Sequence, residues 1–146
     1  MYHSIKFGSD STWKDTWDDW HLIPSPRPSV AAPELQEKMI EIPGRNGLLD
    51  ATEYLTGAPT YLNRTGTWEF YVMHEYWNSW AETYTAIMEY LHGKSMQIIL
   101  EDDPDYYYEG RLTVQPFSSQ NDYSKISINY NLQPYKTHVS MGTKTF

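Results

Sequence analysis

The sequence contains no cysteine. Disulfides, thiolate metal sites and a thiol nucleophile are thereby excluded, although the compartment is left open. Basic residues are few: 11 Lys and Arg stand against 19 Asp and Glu, for a formal net charge of −8. Binding to a nucleic-acid backbone needs clustered Lys and Arg, and here they are scattered, so direct nucleic-acid recognition is disfavoured. Long apolar runs are missing, so no segment is expected to span a membrane. Residues 1–25 lack the basic and apolar regions of a secretory signal, which points to a soluble protein made in a cytoplasm. No Gly-x-Ser-x-Gly elbow and no phosphate-binding glycine loop occurs. The five histidines, at positions 3, 21, 74, 92 and 138, include no pair with the spacing of a zinc helix. No cofactor is expected.

Aromatic residues are abundant: 13 Tyr, 6 Trp and 4 Phe in 146 residues. Tyr and Trp join a large apolar face to one polar atom, which suits half-buried sheet surfaces and protein interfaces. The length fits one core, and no repeat or composition shift marks a second domain.

The apolar pattern is mainly that of β-structure, with about seven strands and one helix. Tyr2 to Phe7 reads as a strand ended by Gly8. Trp13, Trp17 and Trp20 follow at i, i+4, i+7, but Asp, Ser and Thr crowd the segment, so a loop leading to a strand near Trp20–Ile23 is expected. Pro24, Pro26, Pro28 and Pro33 make an extended connector. Met39 to Ile42 and the stretch from Leu48 flank Pro43-Gly44-Arg45-Asn46-Gly47, a hairpin turn. Thr56-Gly57-Ala58-Pro59 is a second break. Thr67 to Met73 alternates, with Trp68, Phe70 and Val72 on one face. Trp77, Trp80, Tyr84, Ile87, Met88 and Leu91 recur at helical spacing, with Asn78 or Ser79 as cap, Gly93 at the end, and His92 and Lys94 placed to favour a helix C-terminus. Met96, Ile98 and Leu100 alternate, as do Tyr106, Tyr108, Leu112 and Val114 around Gly110, and Ile126, Ile128, Tyr130 and Leu132. Residues 136–146 are polar, with little to bury, and read as a C-terminal arm beyond a domain spanning 1–135.

Two groups invite a functional reading. Glu101, Asp102, Asp103, Asp105 and Glu109 could flank a sugar or hold Ca²⁺. An Asp-Asp-Pro-Asp stretch between two strands is equally an ordinary turn, and it lacks EF-hand spacing. Trp13, Trp17 and Trp20, with Asp15, Asp18 and Asp19, could line a carbohydrate site or pack on the body or a neighbouring subunit. Arg45, at the tip of its turn, is suited to contacting a partner.

Four segments in order carry a resemblance. They are Ile42-Pro43-Gly44-Arg45-Asn46-Gly47-Leu48-Leu49-Asp50, Tyr61-Leu62-Asn63-Arg64-Thr65-Gly66-Thr67-Trp68-Glu69-Phe70, Leu91-His92-Gly93-Lys94, and Asp102-Asp103-Pro104-Asp105-Tyr106-Tyr107-Tyr108-Glu109-Gly110-Arg111. Over about residues 2 to 135 the chain resembles the amino-terminal domain of siphophage distal tail proteins. The resemblance implies a β-sandwich or split barrel with one packed helix and a projecting hairpin. It also implies a structural virion protein with no enzymatic activity, six copies of which close a ring. The ring would join the tail tube protein to the tail-tip hub or baseplate and the host-recognition apparatus. A closed ring needs two different complementary patches on each subunit. Arg45, Asn46, Trp13, Trp17, Trp20, Tyr106 and Tyr107 are the candidate interface residues. Acidic residues facing the lumen would keep DNA from sticking. Many distal tail proteins add a carboxy-terminal domain; this sequence stops soon after the first, which implies a short ring protein. The alternative is a carbohydrate-binding β-sandwich module using Trp13, Trp17 and Trp20.

Overall fold

The computed structural model describes residues 3–9, 12–54, 57–73, 80–119 and 123–146. In chain order its elements are β1 (Ile5–Ser9), β2 (Thr12–Asp15), β3 (Ile23–Pro24), β4 (Met39–Glu41), β5 (Leu48–Asp50), β6 (Arg64–Met73), α1 (Trp80–Leu91), β7 (Ser95–Leu100), β8 (Asp103–Val114), β9 (Ser118–Ser119), β10 (Tyr123–Leu132), β11 (Lys136–His138) and β12 (Lys144–Thr145). The fold is mainly β, with one large antiparallel sheet in the order β2-β1-β7-β8-β10-β6-β3 and a separate two-stranded hairpin, β4–β5.

The long strands form where apolar residues alternate, because a sheet covered on one face buries every second side chain. Trp68, Phe70 and Val72 of β6, Met96, Ile98 and Leu100 of β7, Tyr108, Leu112 and Val114 of β8, and Ile126, Ile128, Tyr130 and Leu132 of β10 are all buried. The sheet cannot be flat. Phe7 of β1 and Trp68 of β6 have ring centroids 6.1 Å apart, yet three strands separate β1 from β6. Four steps across a flat sheet would cover about 19 Å. The sheet therefore curls until its two ends share one core, a β-sandwich-like arrangement.

Helix α1 packs on this core through Trp80, Ile87 and Leu91, with Tyr84, Met88 and Tyr90 half-buried against it. Gly93 stops it at φ +73°, a conformation that suits glycine. Gly93 N donates to Leu112 O at 2.7 Å, which ties the helix end to β8. Lys94 Nζ reaches the Glu89 carbonyl, while His92 Nδ1 accepts from Val114 N at 3.1 Å. Trp77 and the proposed caps Asn78 and Ser79 lie outside the described residues, as does Tyr2.

Four expectations are corrected. The first strand does not end before Gly8 but runs through it to Ser9; the Trp13 ring of β2 lies over Gly8 where a side chain would project. The tryptophan segment is not one loop: Trp13 lies in β2, paired with Gly8, and a turn follows. Pro24 sits within β3, where it pairs with Phe70 at the sheet's edge, a position that tolerates a missing N–H. Residues 136–146 do not leave the body as an arm. Strand β11 pairs with Tyr106 and Tyr107 of β8, and β12 pairs with β11.

Candidate functional site

The hairpin β4–β5 stands apart from the body. Its register pairs Met39 with Asp50, Ile40 with Leu49 and Glu41 with Leu48, and every one of these residues is exposed. Below it, Ala51 N donates to Lys38 O, Gln36 N to Thr60 O and Leu62 N to Glu34 O, and Leu35 and Tyr61 form an antiparallel bridge. Residues 34–54 and 57–62 thus form a finger with a paired neck. At its tip the chain turns through Gly44 and Gly47, both at positive φ, with Arg45 and Asn46 exposed between them.

The finger is unusually apolar for a solvent-exposed element. Met39, Ile40, Ile42, Leu48 and Leu49 are all exposed, Leu48 at 56%. Ile40 and Leu49 face one side and Met39 and Leu48 the other, so no single face can be turned inward. An isolated hairpin is marginal in water, and a contiguous exposed apolar surface marks a contact site. The sequence revealed the hairpin; its two-sided apolar character went unread, although Ile40, Ile42, Leu48 and Leu49 around one turn were the available signal.

The finger's root is firmly built. Tyr61, Tyr135 and Phe146 form an aromatic cluster, with Tyr135 and Phe146 stacked at 5.0 Å and Tyr61 edge-on to Phe146 at 4.9 Å. Beside them the buried Arg64 donates to the carbonyls of Pro134 and Ala31 and to the main-chain oxygen of Phe146. An open groove of about 360 Å³ is lined by Val30, Ala32, Pro33, Tyr61, Arg64 and Phe146. Sequence reasoning placed Tyr61 and Arg64 in a segment that carries the resemblance and Pro33 in the connector but gave none of these residues a shared role, because a buried arginine reached from three distant segments leaves no periodic trace.

The remaining candidate residues lie on separate elements. Tyr106 and Tyr107 are half-buried beneath β11: Tyr106 meets the His138 ring edge-on at 5.1 Å, and Lys136 Nζ lies 4.6 Å from its centre. Trp13 is exposed on the edge strand β2, and Trp17 is half-buried with its ring edge-on to His21 at 5.4 Å. Trp20 does not reach a surface. It is buried against Phe7 and Tyr90, at 6.3 and 5.9 Å, and has no face for a partner or a sugar. Asp15 is likewise occupied: its Oδ1 accepts from Trp17 N and Asp18 N, and Oδ2 lies 3.0 Å from Ser4 Oγ. The carbohydrate reading thereby loses its continuous platform.

The acidic run is also structural in its contacts. The turn itself is shorter than expected, because Asp103 already pairs with Leu100 across Glu101-Asp102. Glu101 accepts from Ser4 N at 2.8 Å, and that bond, with the Ser4 hydroxyl and neighbouring positive charge, holds its carboxyl below the usual range despite some desolvation. Asp102 accepts from Arg27 Nε at 2.9 Å and lies 2.8 Å from His3 Nδ1. The hydrogen bonds from Arg27 and then His3 lower its pKa to about 2. Asp103 binds Lys136 Nζ at 2.6 Å. Burial works against the Lys136 charge, but the Asp103 hydrogen bond and the neighbouring Tyr108, Asp103 and Tyr106 outweigh it and raise its pKa. These carboxylates fasten β7, β8, the proline connector and β11 together, and no group of three metal-ligating side chains occurs among the described residues. No helix among them is long and apolar enough to cross a membrane.

No family model matches the sequence, and no curated protein matches it. The fold is similar to that of SPP1 Dit (gp 19.1), whose crystal structure is presented as a paradigm of the hub adsorption apparatus in phages infecting Gram-positive hosts, with a TM-score of 0.65 and 16% identity. The likeness covers 92% of this chain and 52% of SPP1 Dit, so the chain spans about half the length of that protein and shares with it a fold.

Proposed function

We propose that the chain is a non-enzymatic structural protein of a phage tail tip. Six copies form a ring that joins the tail tube to the tip hub or baseplate and the host-recognition apparatus. The observation that carries the reading is the fold: its likeness to a phage hub adsorption protein extends over 92% of this chain. The finger supports the assembly part. An exposed hairpin with apolar residues on both faces is stabilised when a neighbouring molecule covers it, and a head-to-tail contact of this kind closes a ring. Arg45 and Asn46 at its tip, with the exposed Trp13 on β2, are the contact residues we assign from the candidates. The internal ties of Glu101, Asp102 and Asp103 support a structural role for the acidic turn. The net charge of −8 supports a lumen that does not hold DNA.

Negative-stain imaging of the concentrated protein tests this reading. Closed rings with a central hole are the expected result. Open filaments, or an assembly that leaves the finger exposed, would overturn it, and a basic lumen in the assembled ring would overturn the charge argument.

A further inference from the structure

Asn46 differs from the other asparagines among the described residues. It is exposed at the finger's tip, and its carboxamide makes no hydrogen bond there. The next residue is Gly47, at φ +78°, with open space where a Cβ would stand. Asn63, Asn129 and Asn131 have engaged carboxamides: Asn63 Nδ2 donates to Asn131 Oδ1 at 2.9 Å and Thr67 Oγ1 donates to Asn129 Oδ1 at 2.8 Å. They are followed by Arg64, Tyr130 and Leu132, whose side chains crowd the next main-chain nitrogen.

We propose that Asn46 is a site of spontaneous covalent modification in the free protomer, losing its amide nitrogen through a cyclic imide. The Gly47 nitrogen gives its proton to solvent and attacks Cγ of Asn46. A bond forms between that nitrogen and Cγ, the Cγ–Nδ2 bond breaks, and Nδ2 leaves as ammonia with a proton from solvent. The product is a five-membered imide. Water then adds to one of its two carbonyls. Opening at the Cγ side gives aspartate, and opening at the main-chain carbonyl gives isoaspartate. The balance is asparagine plus water to acid plus ammonia, with no oxidant, metal or enzyme. Attack requires rotation of the main chain between Asn46 and Gly47. Glycine opposes this least, and β4 and β5 pair only with each other.

Either product adds a negative charge beside Arg45. Isoaspartate also lengthens the main chain by one methylene directly before the Glu41–Leu48 pair, which disturbs the register of β5. Where the finger serves as a subunit contact, the reaction marks protomers that have waited unassembled, and docking shields the site.

The test is incubation of the purified chain at mildly alkaline pH, diluted until light scattering shows the 17.2 kDa of a single chain, followed by peptide mass mapping. A gain of about 1 Da is expected on the peptide holding Asn46, split between two separable isomers, with those holding Asn63, Asn129 and Asn131 unchanged. Asn46→Gln, which must form a larger ring, should slow the gain about tenfold or more, with an unchanged circular dichroism spectrum to show that the fold is intact. A rate at Asn46 no greater than at Asn129 would overturn the proposal. The readout is taken on the protomer, so it stands or falls apart from ring assembly.

Discussion

Arg64 Nη2 donates to the main-chain oxygen of Phe146 at 3.1 Å, joining residues 82 positions apart. The same guanidinium holds Pro134 O and Ala31 O at 3.0 and 3.3 Å and lies 5.4 Å from the centre of the Tyr108 ring. One buried cation therefore ties together both roots of the finger, the end of β10 and the C-terminal hairpin.

Replacing it should be costly. Arg64→Met leaves two carbonyls and the Phe146 main-chain oxygen without their donor and is expected to lose about 3 kcal/mol of stability. Arg64→Lys should recover only part of this, because an ammonium cannot reproduce a planar fork. Urea unfolding measures the loss, and faster proteolysis within residues 34–62 would report the loosened root.

Gly110 should be the least replaceable glycine. A Cβ there would meet the Asn131 carbonyl oxygen and Leu132 Cα, both main chain of the paired strand β10. Gly110→Ala must push β8 from β10 and is expected to cost about 3 kcal/mol. At Gly8 the obstacle is the Trp13 ring, an exposed side chain that can swing aside, so Gly8→Ala should cost about 1 kcal/mol. Thermal unfolding of the two variants gives the order directly.

Acid stability should depend on Asp102. Its folded pKa of about 2 lies below the value near 4 of an unfolded Asp, so the unfolded chain takes up protons first as pH falls. The Asp102 contribution is complete above about pH 4 and is lost as pH falls through about 2. Asp102→Asn should be less stable than the wild type at neutral pH, and the difference should shrink towards pH 2. Added salt should also reduce it, because Arg27 is exposed. Denaturant midpoints across this range check the sign.

The readable parts of the sequence were those where one face of a long element is buried. Strands β6, β7, β8 and β10 and helix α1 announce themselves through residues such as Ile126, Ile128, Tyr130 and Leu132, because burial imposes their period. Strands of two to four residues leave no period, and β2, β9, β11 and β12 accordingly went unread, while the strand expected near Trp20–Ile23 is displaced to β3 at Ile23–Pro24. The spacing of Trp13, Trp17 and Trp20 suggested a shared face, yet one lies over Gly8, one against His21 and one in the core. Residues 136–146 looked free because they dock through main-chain pairing, one ion pair and Phe146 rather than through an apolar run. The finger's turn was plain from Pro43 to Gly47, whereas its role depends on what covers Ile40 and Leu49, which a single chain cannot encode locally.

Ile40 and Leu49 form a cross-strand pair on one exposed face of the finger. Ile40→Asp with Leu49→Asp should alter protomer stability by only about 0.5 kcal/mol, since neither residue is in the core. The pair of substitutions should nevertheless abolish self-association.

Solution mass by light scattering, measured for the wild type and this double variant, tests the central claim most directly. The account predicts a wild-type ring of about 103 kDa, six times the 17.2 kDa chain, and a variant that remains at 17.2 kDa. A wild-type ring that survives both substitutions would contradict the finger's role. A wild type that stays at the mass of one chain at every concentration, indistinguishable from the variant, would contradict self-assembly through this surface.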